Sequence, residues 1–338
     1  MNASPHILPV VLVMALLTAL ISLALVLILA RYARSSGMLD LPGTRQSHSQ
    51  PTPTGAGAGM VAALVMGSVL TNLLMPLARE WMVVVLPASV LLSALGWLDD
   101  RRGVSAAIRL AVQVLVSFAL LALLSVGLVS LSWWSWLLYA LALVGVMNAY
   151  NFMDGSNGMA GFQGAFAGLL LAGLYWQAAA PELAVPALLL AAACLGFLPV
   201  NFPLARVFMG DSGSVPLGFG LAALIGLGIN QGVLSLPVGL MVLGVFLVDS
   251  SLTLLKRVFQ GERWYTAHKQ HVYQRLIAQG WPHSRVLLLY QAINMFLVAP
   301  VILLARMYPN LAWTLAGVVF LLLTTGWYLA SLRLEVRK

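Results

Sequence analysis

Eleven apolar runs, each about the length of a bilayer crossing, punctuate this chain, and nothing else constrains its fold as strongly. They cover about 7–30, 56–78, 82–98, 110–130, 134–148, 159–178, 183–200, 215–230, 233–255, 286–307 and 311–330. A crossing helix needs about 20 predominantly apolar residues, since backbone N–H and C=O groups in hydrocarbon must pair within their own segment. Only 8% of the chain is charged and 61% is hydrophobic, against about 25% charged in soluble domains. The expectation is an all-α polytopic membrane protein of about 11 transmembrane helices, forming a single integral membrane domain over residues 1–338. No basic segment precedes the first run, which therefore reads as retained rather than cleaved. The one cysteine, Cys194, lies inside a run, which leaves no disulfide framework and no thiolate metal site.

A net charge of +8 would suggest a nucleic-acid partner in a soluble protein, but here its distribution sets a topology and no nucleic acid is expected. Eleven spans place alternate loops on opposite sides. Every Lys and Arg except Arg79 and Arg306 then falls on one side, which the positive-inside rule makes cytoplasmic. The N-terminus is expected in the periplasm and the C-terminus in the cytoplasm. The inner loops, about 31–55, 99–109, 148–158, 201–214 and 256–285, carry nearly every unusual residue.

Acids are scarce, ten in all, and an ionised Asp near hydrocarbon costs about 2.5–3.5 kcal/mol on insertion scales. Four of them nevertheless stand where apolar runs meet inner loops: Asp99, Asp100, Asp154 and Asp211. Adjacent residues on a helix diverge by about 100°, so of Asp99 and Asp100 one can face a pocket while the other bonds backbone or an arginine. Asn148, Asn151 and Asp154 recur every three residues and form one polar stripe. Its oxygen-rich groups suit Mg²⁺ and sugar hydroxyls; interhelical hydrogen bonding is the structural alternative. In Phe208-Met-Gly210-Asp211-Ser212-Gly213-Ser214 a carboxylate bracketed by glycines and hydroxyls precedes a helix, which points to a metal and phosphate site. Phe208 could stack on a base or simply pack. His268 and His271 are spaced to share one helical face, and without a matching third ligand they suit an anionic or sugar ligand better than zinc. Arg263 lies in the same loop. His48 and His283 are lone residues that read as solvated.

Acids, guanidinium groups and glycine-hydroxyl turns gathered beside lipid are what phosphoryl transfer between a soluble nucleotide and a lipid phosphate needs, because Mg²⁺ and cations neutralise charge on the transferring group. A cation-coupled transporter is the main rival; its acids belong at the bilayer midplane rather than at one face.

The paired Asp99-Asp100, Asn148 to Gly155, Phe208 to Ser214 and the His-bearing loop occur in the order found in the polyprenyl-phosphate N-acetylhexosamine-1-phosphate transferases (the MraY/WecA-like members of glycosyltransferase family 4), and the chain resembles that family from Arg45 to about His271. The resemblance implies a bacterial inner-membrane enzyme that uses Mg²⁺ or Mn²⁺ to transfer an N-acetylhexosamine-1-phosphate from a UDP-sugar to undecaprenyl phosphate, releasing UMP. It implies Asp211 and Asn151 at the metal, Asp99 at the lipid phosphate, and Asp100 and Asp154 completing the centre. Phe208 and Asn201 would meet the uridine, and His268 and His271 the sugar end; Asn148, Asn157 and Arg263 join the substrate-binding set. Asp249 also fits the family pattern, without a role. Asn157, where relatives commonly have a second Asp, and the thinned His motif resemble the branch that begins O-antigen or related polysaccharides with a rarer sugar such as FucNAc or QuiNAc. A homodimer is compatible with the apolar outer surface.

Overall fold

The computed structural model describes residues 7–40, 51–125, 133–263 and 268–336. Arg45 and His48, and the stretch 264–267 of the His-bearing loop, lie outside the described residues.

Helices cover most of the described residues of all eleven apolar runs. In chain order these are α1 (Ile7–Ser35), α2 (Gly57–Leu74), α3 (Leu86–Arg102), α4 (Ala106–Ser125), α5 (Trp133–Met153), α6 (Met159–Gln177), α7 (Pro181–Asn201), α8 (Asp211–Asn230), the pair α9 (Leu236–Val242) and α10 (Gly244–Phe259), the short α11 (Val272–Ala278), α12 (His283–Ile293), α13 (Ala299–Met307) and α14 (Ala312–Val336). A π-helical turn, Trp81–Val85, leads into α3, and another, Asn294–Val298, joins α12 to α13. Two short strands, β1 (Leu39–Asp40) and β2 (Thr52–Pro53), pair antiparallel. Among the described residues nine helices are long and apolar enough to cross a membrane, and α4 is a shorter apolar helix.

One expected span, 233–255, differs from a straight helix: α9 and α10 meet at 77°. A break inside a bundle frees backbone carbonyls that lipid cannot satisfy. Here the Gln163 amide of α6 donates to the Val242 carbonyl at the break, at 3.4 Å, while its Oε1 accepts from Asn294 at 2.5 Å. Buried side-chain amides replace the missing helical bond.

The core sits around α7 and α8, whose apolar windows are 83% and 89% buried, while α1 and α14 are only 28% and 22% buried. The central pair is rich in Ala and Gly, which lets neighbouring backbones approach closely where no hydrophobic force separates helix from lipid. The outer helices turn large side chains outward, as Phe296 does at 84% exposure. α8 packs against α3 and α5, and α7 against α1 and α6. The C-terminal ends of α3 and α5 thereby meet the N-terminal end of α8, and this junction carries the acids.

Candidate active site

α8 begins at Asp211, four residues before the apolar run. Gly210 precedes it with φ +70°, a conformation that favours glycine, and a Cβ there would also strike the Asp100 carboxylate. On the facing helix a Cβ at Gly96 would run into the Asp211 carbonyl, and Ser93 Oγ donates to the Ser212 carbonyl at 2.7 Å. This close contact brings the last turn of α3 beside the first turn of α8.

The two adjacent acids then do different things. Asp100 Oδ1 accepts the Asp211 N–H at 3.0 Å and its Oδ2 the Ser212 N–H at 3.3 Å. These are orphan donors of a helix start, where a carboxylate also meets the positive end of the dipole. Asp99 turns the other way: Oδ1 accepts the Val104 N–H at 2.5 Å, and Oδ2 pairs with Arg109 Nη1 at 2.5 Å. The same Arg109 nitrogen reaches Asp211 Oδ2 at 2.8 Å. Arg109, near the start of α4, is the residue that sequence reasoning missed; the signal was a basic side chain ten positions from Asp99 in an otherwise apolar helix.

From α5, Asn151 Nδ2 donates to Asp211 Oδ1 at 2.6 Å and to Ser214 Oγ at 3.2 Å. Asp154, just beyond the helix end, accepts the Gly210 backbone N–H. Burial pushes its carboxyl well above the usual range, and the charges of Asp211 and Asp100 push the same way. Four carboxylates thus crowd one junction, where Arg109 pairs with Asp99 and Asp211. Among the described residues no three of the acids are grouped so as to hold a metal ion by themselves, but oxygen donors in this number are the chemistry that a hard divalent cation takes. Asn151 could join Asp211 in holding one by turning its amide oxygen inward.

The polar stripe divides. Asn151 and Asp154 reach the junction, but Asn148 donates to Gln113 Oε1 of α4 at 2.8 Å and to the Val144 carbonyl at 2.8 Å, the interhelical alternative. Asn201, expected at the uridine, is 4% exposed, with both ends of its amide engaged by backbone: Oδ1 accepts the Gly158 N–H at 2.7 Å and Nδ2 donates to the Val207 carbonyl at 2.9 Å. It ties the 148–158 loop to the 201–210 loop. Asn157 donates to the Pro203 carbonyl at 3.1 Å. His283, expected to be solvated, instead lies against this loop, its Nδ1 2.9 Å from Ser156 Oγ and 3.3 Å from the Asn157 nitrogen. Phe208 is half-buried, its backbone bonded to Pro53 and Ala56.

The two histidines are adjacent but do not share a helical face, because α11 begins only after His271. Their rings lie 4.9 Å apart beside Phe152. His268 is partly exposed, whereas His271, expected at the sugar, is 1% exposed and faces Asp249. Burial, with the charges of His271 and Arg257, pushes the His268 imidazole down to about 4. Arg263 is exposed, and its carbonyl accepts from Arg257 at 2.9 Å.

The model of glycosyl transferase family 4 matches residues 82–228, which hold the whole acidic junction. Decaprenyl-phosphate N-acetylglucosaminephosphotransferase of Mycolicibacterium smegmatis is 33% identical over 291 residues, covering 75% of this chain and 72% of the relative. The chain belongs to glycosyl transferase family 4. Two further relatives are similar to most of the chain. A probable undecaprenyl-phosphate N-acetylglucosaminyl 1-phosphate transferase of Bacillus subtilis is 28% identical across 86% of this chain and 83% of its own length. A phospho-N-acetylmuramoyl-pentapeptide-transferase of a Synechococcus species is 33% identical across 74% and 79%. As a family 4 member the protein is a phosphoglycosyltransferase, and the transporter reading finds no support.

Proposed function

We propose that this single membrane domain transfers an N-acetylhexosamine-1-phosphate from a UDP-sugar to undecaprenyl phosphate at the cytoplasmic face of the bacterial inner membrane. The observation that carries this reading is the convergence of Asp99, Asp154, Asp211, Asn151 and Arg109 at one end of four membrane helices. The positive-inside distribution supports the cytoplasmic orientation of that end.

In the reaction a lipid phosphate oxygen forms a bond to the sugar-bearing phosphorus. The bond from that phosphorus to the oxygen shared with the uridine-bearing phosphate breaks, and UMP leaves with the electron pair. A phosphate monoester has a second pKa near 6, so at neutral pH the acceptor is largely a dianion and needs little general-base help. Asp99 holds the Arg109 guanidinium, which meets the lipid phosphate or the transferring group. Asp211 and Asn151 would hold Mg²⁺ or Mn²⁺, which would supply charge neutralisation at the phosphates. Asp154 completes the acidic set, and Asp100 keeps the start of α8 in place. Phe208 offers a face for the uracil. His268, neutral across the physiological range, gives the sugar end a hydrogen-bonding ring rather than a cation.

The sugar we propose is an N-acetylated 6-deoxyhexosamine such as FucNAc or QuiNAc, beginning an O-antigen or related polymer. The support is the departure at Asn157, as a mark of the branch rather than as a contact to the sugar, and the reduced His motif; GlcNAc, carried in the relatives' names, is the comparison sugar. The test incubates purified protein with undecaprenyl phosphate, Mg²⁺ and a panel of UDP-sugars and measures UMP. Highest turnover with a 6-deoxy sugar supports the full reading, and highest turnover with UDP-GlcNAc corrects the sugar alone. No release with any sugar contradicts the enzyme reading and favours a scaffold role in polysaccharide assembly.

A further inference from the structure

Asp249 lies in α10 at 3% exposure, away from the acidic junction. Its Oδ1 accepts the Val272 backbone N–H at 3.0 Å, the Thr253 hydroxyl at 3.2 Å and the Trp327 indole N–H at 3.2 Å, and its Oδ2 accepts the Tyr290 hydroxyl at 2.6 Å. His271 Nδ1 stands 3.7 Å from Oδ1. A buried carboxylate needs such partners, but these share a pattern: they come from α10, α12 and α14 on one side and from the start of α11 on the other.

α11 spans only seven residues, far below the length at which a helix stands alone in water, so its anchors decide its position. At its first residue the Val272 N–H is a helix-start donor without an intrahelical partner, and Asp249 takes it. Further along, Arg275 Nη2 donates to Ser331 Oγ of α14 at 2.7 Å. The face so fixed points Tyr273 at the segment that carries Asn151 and Asp154: its hydroxyl donates to the Phe152 carbonyl at 2.8 Å and accepts the Gly155 N–H at 3.1 Å. His271 stacks on Phe152 at 6.0 Å, with His268 beside it. A continuous set of contacts therefore runs from Asp249 through α11 to the turn holding Asp154.

We propose that Asp249 is a positioning residue that docks α11 so that His268 and the Phe152–Gly155 turn face the sugar nucleotide together, setting affinity for that substrate without touching it. The inference rests on the functional reading above, which puts the sugar nucleotide beside His268.

The role is one of hydrogen-bond geometry, so the amide isostere should restore much of what an apolar residue removes. An Asn at this position can present its oxygen to the Val272, Thr253 and Trp327 donors and its NH₂ to the Tyr290 hydroxyl, which can rotate to accept. In purified protein, Asp249→Leu should raise KM for the UDP-sugar at least about tenfold, while KM for undecaprenyl phosphate stays within about twofold; Asp249→Asn should return to within about threefold of wild type. An unchanged sugar KM, or equal rises in both KM values, overturns the proposal. Should Asp249→Leu not fold, Tyr290→Phe removes one donor and keeps the ring: a rise of about threefold in the same KM supports the proposal, and no rise overturns it. Trypsin cleavage after Lys269, followed by mass spectrometry, needs no substrate. Cleavage about tenfold faster in Asp249→Leu, together with a wild type that makes no UMP, leaves the docking of α11 standing and contradicts the functional reading; an unchanged rate overturns the role of Asp249.

Discussion

Asp100 holds the backbone of Asp211: its Oδ1 accepts the Asp211 N–H at 3.0 Å, beside the Ser212 N–H at 3.3 Å from Oδ2. The side chain of Asp211 faces elsewhere, to Arg109 and Asn151. Asp100 thus keeps the neighbouring acid in place as a helix cap supplied from another helix. Asp100→Ala should lower stability by about 0.5–2 kcal/mol, the range for a lost cap, and should reduce turnover by far more than the fraction unfolded explains. Thermal unfolding in detergent, run beside the activity assay, checks both. Full activity in a destabilised Asp100→Ala protein would separate the cap from the chemistry.

Arg109 bridges Asp99 and Asp211, and in the proposed reaction a divalent cation would compete with it for the Asp211 carboxylate. Arg109→Ala should therefore tighten Mn²⁺ binding, seen by paramagnetic resonance, while turnover falls about 10²-fold, the scale of losing one preorganised charge donor. Weaker Mn²⁺ binding would show that the guanidinium supports the cation rather than competing with it.

His268 gives a pH prediction. Its folded value is pushed from 6.5 down to about 4, so between those values the unfolded chain binds the proton more readily than the fold does. Its contribution to stability is complete above about 6.5 and declines as pH falls toward about 4. In the pH profile of kcat/KM for the UDP-sugar, no titration of His268 should appear near 6.5, and His268→Gln should leave the profile's shape unchanged while raising KM. An inflection near 6.5 that disappears in His268→Gln would contradict a neutral ring.

The fold was legible in the sequence because lipid imposes one rule on every segment: the eleven apolar runs could become little other than helices. The 77° break between α9 and α10 was not, since Gln163 and Asn294, which support it, lie on other helices. At the site, Asp99, Asp100, Asp154 and Asp211 stood out by their cost in an apolar chain. Their division of labour did not, because it depends on which way the last turn of α3 faces α8. Asn148 and Asn201 look like ligand groups in sequence, yet their amides are engaged by Gln113 and by backbone. Tertiary neighbours decide whether such a group is available.

Asn157 shows the same limit. Its Nδ2 donates to the Pro203 carbonyl, and a carboxylate there would face that oxygen with no proton to offer. Asn157→Asp should loosen the contact between the two loops and raise KM for every UDP-sugar by about threefold to tenfold, the scale of one lost hydrogen bond. A switch of preference toward UDP-GlcNAc, with unchanged KM for the others, would assign Asn157 to sugar selection instead.

Cation-assisted phosphoryl transfer to a lipid phosphate at the acidic junction must make both products together and must need the cation. The most direct measurement counts UMP and lipid diphosphosugar made by wild type and Asp211→Asn across a range of Mg²⁺, with a chelator as the zero point. The expected result is one UMP per lipid product in wild type, none in chelator, and no turnover by Asp211→Asn at any Mg²⁺ concentration. Equal turnover in chelator, or an active Asp211→Asn enzyme, would contradict it.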